Sequence, residues 1–426
     1  MRQPVSRGLR TRAIHGGIHV KRNRGATSIP LYYSSSFAFE SAEDLAAAFE
    51  GRHPGYIYSR ISNPTVQAFE QRIAAVEGGV GSFAATSGMA AIQALCTVLA
   101  ETGSRVVFAR SLFGGTVIYL REVAQRAGIH VDFVDMDDRE ALEQALDQGP
   151  RMLFLEALGN PRLDIPPFEE VAQLASARDV PVVIDATLMS PALFSAKECG
   201  AAVVMHSTTK LVTGNGTAIG GVVTDLGRFD WSRHCSPAIA REVDSVGPGY
   251  AFLAALRRVA GLSAGVTMSP FNAFLSALGL ETLGIRAETQ SRSAFELASY
   301  LSAHPGVSGV RYPGLESDPY HERARRYFHG GSGPMSGPMS GPLLTFTLPD
   351  RSAAFAAMNR LELALRATNL GDAKTLVIHP ASTIFHDCSA EERDYSGVTE
   401  GLVRVSVGLE NVEDIIGDFD QALADA

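Results

Sequence analysis

Two patterns of apolar and polar positions alternate between residues 64 and 230. Residues 88–100 (GMAAIQALCTVLA) carry apolar side chains at helical spacing and stop at Thr102-Gly103, a helix-ending signal. The short apolar run 105–109 then reads as a buried strand, 112–128 as helix and 129–134 as strand. Runs at 152–155, 180–184 and 201–205 repeat the strand pattern, with helical stretches between them. Regular alternation predicts an α/β domain with a mostly parallel sheet sandwiched by helices. The texture changes after residue 262. Residues 270–301 read as long helix and 307–312 as strand, and at 402–407 Val403, Val405 and Val407 face one way while Arg404 and Ser406 face the other. The tandem repeat at 332–342 (SGPMSGPMSGP) reads as a flexible surface loop. The expected organisation is an N-terminal arm at 1–63 that contributes to a partner subunit, a large α/β domain at 64–262, and a smaller α+β C-terminal domain at 263–426 with a flexible 331–342 loop.

Composition narrows the classes. With 426 residues, 46% hydrophobic and 19% charged, the chain can bury a large core. A net charge of −9 argues against nucleic acid as a partner. No run approaches the roughly 18 apolar positions of a membrane span. The four cysteines, Cys96, Cys199, Cys235 and Cys388, lie far apart and form neither a disulfide framework nor metal-ligand spacing, so no metal and a reducing, cytoplasmic compartment are expected. The first 39 residues hold no acid and seven basic residues (Arg2, Arg7, Arg10, Arg12, Lys21, Arg22, Arg24), as an arm lying on a partner subunit would.

Ligands of open parallel sheets gather beyond the carboxyl ends of the strands. Three such places carry reactive groups. The apolar run 182–184 ends in Asp185, which by itself reads more readily as a turn-capping carboxylate. Residues 203–205 lead into His206-Ser207-Thr208-Thr209-Lys210, whose lysine could be an ordinary loop residue. Thr86-Ser87-Gly88-Met89 open a helix, where free N–H groups suit a phosphate or Ser87 is a plain N-cap. Together they meet the needs of pyridoxal 5′-phosphate: an amine for its aldehyde, a carboxylate for its ring nitrogen, and an anion cradle.

The ordered motifs carry a resemblance. They are residues 56–65 (YIYSRISNPT), Ser87-Gly88-Met89, Gly159-Asn160-Pro161, Asp185, 206–210 (HSTTK), 379–382 (HPAS) and 401–408 (GLVRVSVG). The sequence resembles the Cys/Met-metabolism family of fold-type I pyridoxal-phosphate enzymes, the cystathionine γ-synthase-like group. The resemblance implies roles. Lys210 would be the Schiff-base lysine and proton shuttle. Asp185 would pair with the pyridinium nitrogen. Ser87, Gly88, Met89, Ser207 and Thr209 would hold the phosphate, and Tyr58 and Arg60 would complete that site in the neighbouring subunit of a dimer or dimer of dimers. Asn160, Asn369 and Arg404 would bind substrate, Arg404 as a bidentate clamp on the α-carboxylate. Phe113, the second catalytic candidate, stands where most of the family has a ring-stacking Tyr; it keeps the stacking and loses the hydroxyl, a replacement that O-succinylhomoserine sulfhydrylases tolerate.

Gly159, the segment from Asn369 to Pro380, and Phe229-Asp230-Trp231 resemble the O-acetylhomoserine sulfhydrylase branch. The leading expectation is γ-replacement on an O-activated homoserine, the acetyl ester, by a sulfur nucleophile. Phe113 and Ala186 (Asn is usual after the aspartate) motivate an alternative with a carbon or nitrogen nucleophile. A γ-lyase releasing a 2-oxo acid is a further alternative, against which Asn369 and Gly115 count. A scaffold without activity is disfavoured by the joint presence of Lys210, Asp185 and Arg404. His206 and His379 are expected to be structural.

Overall fold

The structure is a computed structural model, which describes residues 7–424 other than 19, 22 and 330–338. Arg2, Arg22 and positions 331–338 of the expected loop lie outside the described residues; 339–342 are buried.

Seven strands form the large sheet: β1 (Gly81–Ala85), β2 (Arg105–Ala109), β3 (His130–Val134), β4 (Leu153–Glu156), β5 (Val182–Asp185), β6 (Val203–His206) and β7 (Gly221–Asp225). Their order is β1-β7-β6-β5-β4-β2-β3. Only β7 runs against the rest, being antiparallel to both β1 and β6. The carboxyl ends of the other six strands therefore share one edge. Helices bury the sheet in one core that includes Leu95, Phe108, Phe154 and Val204. Each such side chain contributes about 2 kcal/mol by leaving water, and this apolar surplus is what lets the strand ends carry buried polar groups.

Local signals set the helix boundaries. Asn63 Oδ1 accepts from Thr65 N at 2.9 Å with Pro64 in the first turn, and Gly78 at φ 68° ends the helix Pro64–Glu77. Ser87 Oγ accepts from Ala90 N at 3.1 Å and starts the helix Gly88–Leu99. At the far end of β7, Trp231 Nε1 donates to Asp225 Oδ2 at 2.8 Å and the indole stacks on Phe252 with centroids 4.2 Å apart.

A second sheet, in the order β10-β11-β12-β9-β8, contains β8 (Gly309–Arg311), β9 (Leu343–Thr347), β10 (Leu365–Arg366), β11 (Leu376–Ile378) and β12 (Leu402–Ser406). Val403, Val405 and Val407 enter its core. Arg404 lines a cavity on the other face, and Ser406 Oγ accepts from Gly371 N there, as their alternation requires. The boundary expected at 262 precedes one 34-residue helix, Pro270–Ala303, that serves two cores. Its Ala273, Ala277 and Leu280 pack with Phe69 and Ile73, whereas Ala294, Leu297 and Leu301 join the second sheet.

The start of the expected arm also packs on its own chain. The helix Leu9–His15 packs against Pro64–Glu77 and Pro270–Ala303. Arg72, fully enclosed, donates to Gly16 O at 2.9 Å, to Ala277 O at 2.8 Å and to Glu281 Oε1 at 2.9 Å. A buried guanidinium needs such partners, and Gly16 and Ala277 supply them from two elements, which locks the helix in place. Among the described residues no helix is long and apolar enough to cross a membrane, and no group of side chains could hold a metal ion.

Candidate active site

A cavity of about 280 Å³ opens at the shared carboxyl edge of the strands. Ser87, Gly88 and Met89 enter it beyond β1, Phe113 beyond β2, Asn160 beyond β4, Asp185 at the end of β5, and Ser207, Thr209 and Lys210 beyond β6; Arg404 closes it from β12. Ten residues picked from sequence thus converge on one hollow.

Asn369 completes this group through its polar atoms. Its Oδ1 accepts from Lys210 Nζ at 2.8 Å and its backbone oxygen accepts from Arg404 Nη2 at 3.2 Å. Arg404 Nη1 also donates to Asn160 Oδ1 at 3.0 Å. Arg404 is 2% exposed, and its Nε has no partner. Burial pulls its pKa down to about 9, as happens to a cation held without its counter-anion. Lys210 is lowered to about 8, by burial first and then by the Arg404 charge.

Asp185 Oδ1 accepts from Thr187 N at 2.9 Å. Burial raises its pKa, while the Thr187 hydrogen bonds and His206 oppose the rise. The N–H groups of Gly88 and Met89 lie in the first helical turn, where no carbonyl one turn back can satisfy them. Gly88 is required there: a Cβ would stand 2.7 Å from the Cβ of Ser207. The Thr209 hydroxyl bridges Gly220, accepting its N–H at 3.0 Å and donating to its carbonyl at 3.3 Å.

Two sequence departures have local causes. A Cβ at residue 159 would overlap Asp164 Oδ1, which accepts from Ser111 Oγ at 2.7 Å, so only glycine fits before Asn160. A Cβ at residue 115 would stand 2.5 Å from Phe113 Cε1, so Gly115 leaves room for that ring.

Tyr58 and Arg60 do not line this cavity. They border a separate cleft of about 570 Å³ with Thr86 and Met268. Arg60 Nη1 donates to Leu262 O. The neighbouring Tyr33 is 75% exposed. His206 and His379 do not line the cavity either. His206 Nε2 pairs with buried Glu77, and His379 is held by Ser382 Oγ and Glu400 O, both at 2.9 Å.

The sequence reading missed Glu156, Thr187 and the apolar wall of Leu158, Leu188, Ile219 and Leu370. Glu156 ends an apolar strand as Asp185 does, so the rule that found one acid applied to both. The apolar wall left no such mark, because its members come from unrelated loops.

A profile of the Cys/Met metabolism PLP-dependent enzymes matches residues 10–424. The chain is 37% identical to the sulfhydrylase FUB7 of Fusarium oxysporum, covering 100% of this chain and 99% of that one. It is 38% identical to the homocysteine synthase of Schizosaccharomyces pombe, covering 98% of each. It is 38% identical to the O-acetyl-L-homoserine sulfhydrylase 1 of Thermus thermophilus, covering 97% of this chain and 99% of that one. The structure named for an O-acetylhomoserine (thiol)-lyase of Campylobacter jejuni, solved with N′-pyridoxyl-lysine-5′-monophosphate, superposes with a TM-score of 0.87 at 33% identity, covering 98% of this chain and 100% of that one. A cystathionine γ-synthase of Xanthomonas oryzae solved with cystathionine gives 0.86 at 29% identity, covering 99% and 98%. With a match along almost its entire length and a site whose amine, carboxylate and helix start all suit one cofactor, the chain belongs to the Cys/Met metabolism PLP-dependent enzyme family.

Proposed function

We propose that the protein catalyses γ-replacement on an O-acyl homoserine, the acetyl ester, with a sulfur nucleophile. The observation that carries this reading is Asn369, which joins the Lys210 amine to the Arg404 guanidinium and so fixes a proton carrier beside a carboxylate clamp. The names of the relatives support the reaction class.

The residues present fit pyridoxal phosphate. Lys210 offers its amine to the aldehyde, Asp185 its carboxylate to the ring nitrogen, and Phe113 a flat face to the ring. Gly88, Met89, Ser87, Ser207 and Thr209 offer N–H and O–H donors to the phosphate. When bound, the cofactor supplies an electron-accepting ring that acidifies the substrate Cα–H.

The chain does the rest. Arg404, whose Nε has no partner, would receive the α-carboxylate, with Asn160 and Asn369 setting the plane of its guanidinium. Lys210 takes the proton from Cα and next serves Cβ, as general base and then acid. The apolar wall of Leu158, Leu188 and Leu370 excludes water, so that an added thiol or sulfide competes well at Cγ. Lys210 and Arg404 are the only cations among the described lining residues. Neither is spare for a second carboxylate, which favours the neutral acetyl ester over succinyl.

Ala186 is buried and does not line the cavity, so it gives no support to a carbon or nitrogen nucleophile. Tyr58 and Arg60, lying outside their own cavity beside the exposed Tyr33, support a dimer in which they serve the partner's phosphate site. Four cysteines without a disulfide suit a reducing cytoplasm.

Purified holoenzyme with O-acetylhomoserine and sulfide is expected to release homocysteine and acetate. Release of 2-oxobutanoate without a nucleophile would replace this reading with γ-elimination, and no product from either mixture would remove it. The lowered Lys210 pKa adds a pH prediction. The free amine, which attacks the aldehyde, declines about tenfold per unit below its pKa. Uptake of pyridoxal phosphate by the apoenzyme should therefore slow as the pH drops below about 8 and level off above it. Stopped-flow absorbance measures this; a rate that ignores pH across that range would refute the lowered value.

A further inference from the structure

Glu156 lines the cavity, is only 6% exposed, and has no part in the reaction as described. Strands β4 and β5 are parallel neighbours whose register pairs Glu156 directly with Asp185. Residues so paired present their side chains to the same face, with strands about 4.8 Å apart. Two carboxylates thus stand side by side in a buried place, and no lysine or arginine is among the groups that act on the charge of either. Like charges that close cannot both persist out of water. Asp185 is the better-supported anion: Thr187 serves it through its hydroxyl as well as its N–H at 2.9 Å and His206 favours its charge, whereas Glu156 receives only the backbone N–H groups of Phe113 and Asn160. The proton therefore belongs on Glu156, whose own acidity burial and Asp185 oppose in that order. Glu156 Oε1 accepts from Phe113 N at 2.7 Å, so this acid also anchors the loop that bears the ring-stacking residue.

We propose that Glu156 is a positioning residue that works as a neutral acid: it ties Phe113 to the end of β4 and leaves the negative charge of the paired strand ends on Asp185. This rests on the reading that Phe113 and Asp185 flank the cofactor. The ionisable groups that face Glu156 are Asp185 on β5, Asp164 in the loop after β4, Lys210 and Arg404 across the cavity, and Asp135, Asp137 and Tyr395 on its outer side.

The test uses holoenzyme variants. Glu156→Gln keeps an uncharged acceptor of nearly the same shape. Its bound cofactor should titrate by absorbance at the wild-type midpoint. A midpoint moved by about one unit or more would show that a charge had been removed and would overturn the proposal. Glu156→Ala frees the loop and should lower kcat/KM about 10- to 100-fold, alter the visible circular dichroism of the cofactor, and leave far-UV dichroism unchanged. Because Glu156 acts through Phe113, the double variant with Phe113→Ala should lose little more than either single variant. Losses that multiply would also overturn it, and the Gln titration decides alone if the Ala variant does not fold. A wild-type protein that binds no pyridoxal phosphate would instead sink the reading beneath it.

Discussion

Lys210→Ala is expected to abolish turnover, lowering kcat by ~10⁴-fold or more, while the fold and the retention of cofactor by the phosphate cradle survive. The reason is geometric. Lys210 is the only amine among the described lining residues, so nothing else there can meet the aldehyde or carry the Cα proton. His206 and His379 cannot substitute, because both are held away from the cavity by their own hydrogen bonds. Borohydride treatment followed by intact-mass measurement gives the direct check. The wild-type chain should gain the mass of the reduced cofactor and the variant should not. A variant chain that gains it would give the role to a different amine.

Arg404→Ala has the second largest expected effect. It removes the only guanidinium among the described lining residues and strands Asn160 Oδ1 and Asn369 O, its two acceptors. Truncating one partner of a buried charge pair costs about 2–5 kcal/mol, so kcat/KM for the acetyl ester should drop ~30- to 4,000-fold, carried mainly by a higher KM. Arg404→Lys separates charge from shape. It keeps the cation and loses the planar fork, so it should recover only part of the loss. An unchanged KM in the alanine variant would leave Arg404 a structural bridge between the two sheets.

The asymmetry between these two residues explains much about the site. Arg404 is buried and Lys210 partly so; burial lowers the pKa of both, and the Arg404 charge adds to the effect on Lys210. Lys210 responds because an ammonium near pH 8 loses its proton readily, which makes it a base. Arg404 stays a cation through the working range and waits for an anion. The Asn369 bridge keeps them at fixed separation, so a substrate carboxylate at one places its Cα near the other.

The alternation of strand and helix, the single-faced valines of 402–407 and the strand-end positions of Asp185 and Lys210 were legible because periodicity and strand order follow from local sequence. Strands β1 and β7 were less so. Their residues are small and glycine-flanked, and Gly221 stands where a Cβ would overlap Ser87 O, which brings β7 against the start of the helix Gly88–Leu99. The basic residues of the first segment suggested an arm but gave no hint of the contacts within the chain, where Arg72 reaches the carbonyl of Gly16 just past the helix Leu9–His15.

By itself, the sequence determined which residues could react and on which elements they sit, since helix caps, strand alternation and charge are properties of neighbours along the chain. Only the tertiary structure decided which of them meet: that Asn369 links Lys210 to Arg404, that Glu156 faces Asp185 across two strands, and that Tyr58 and Arg60 stand apart from their own cavity. Those facts depend on strand order and register, which are set by the packing of apolar faces over long sequence distances and leave no trace in any local window.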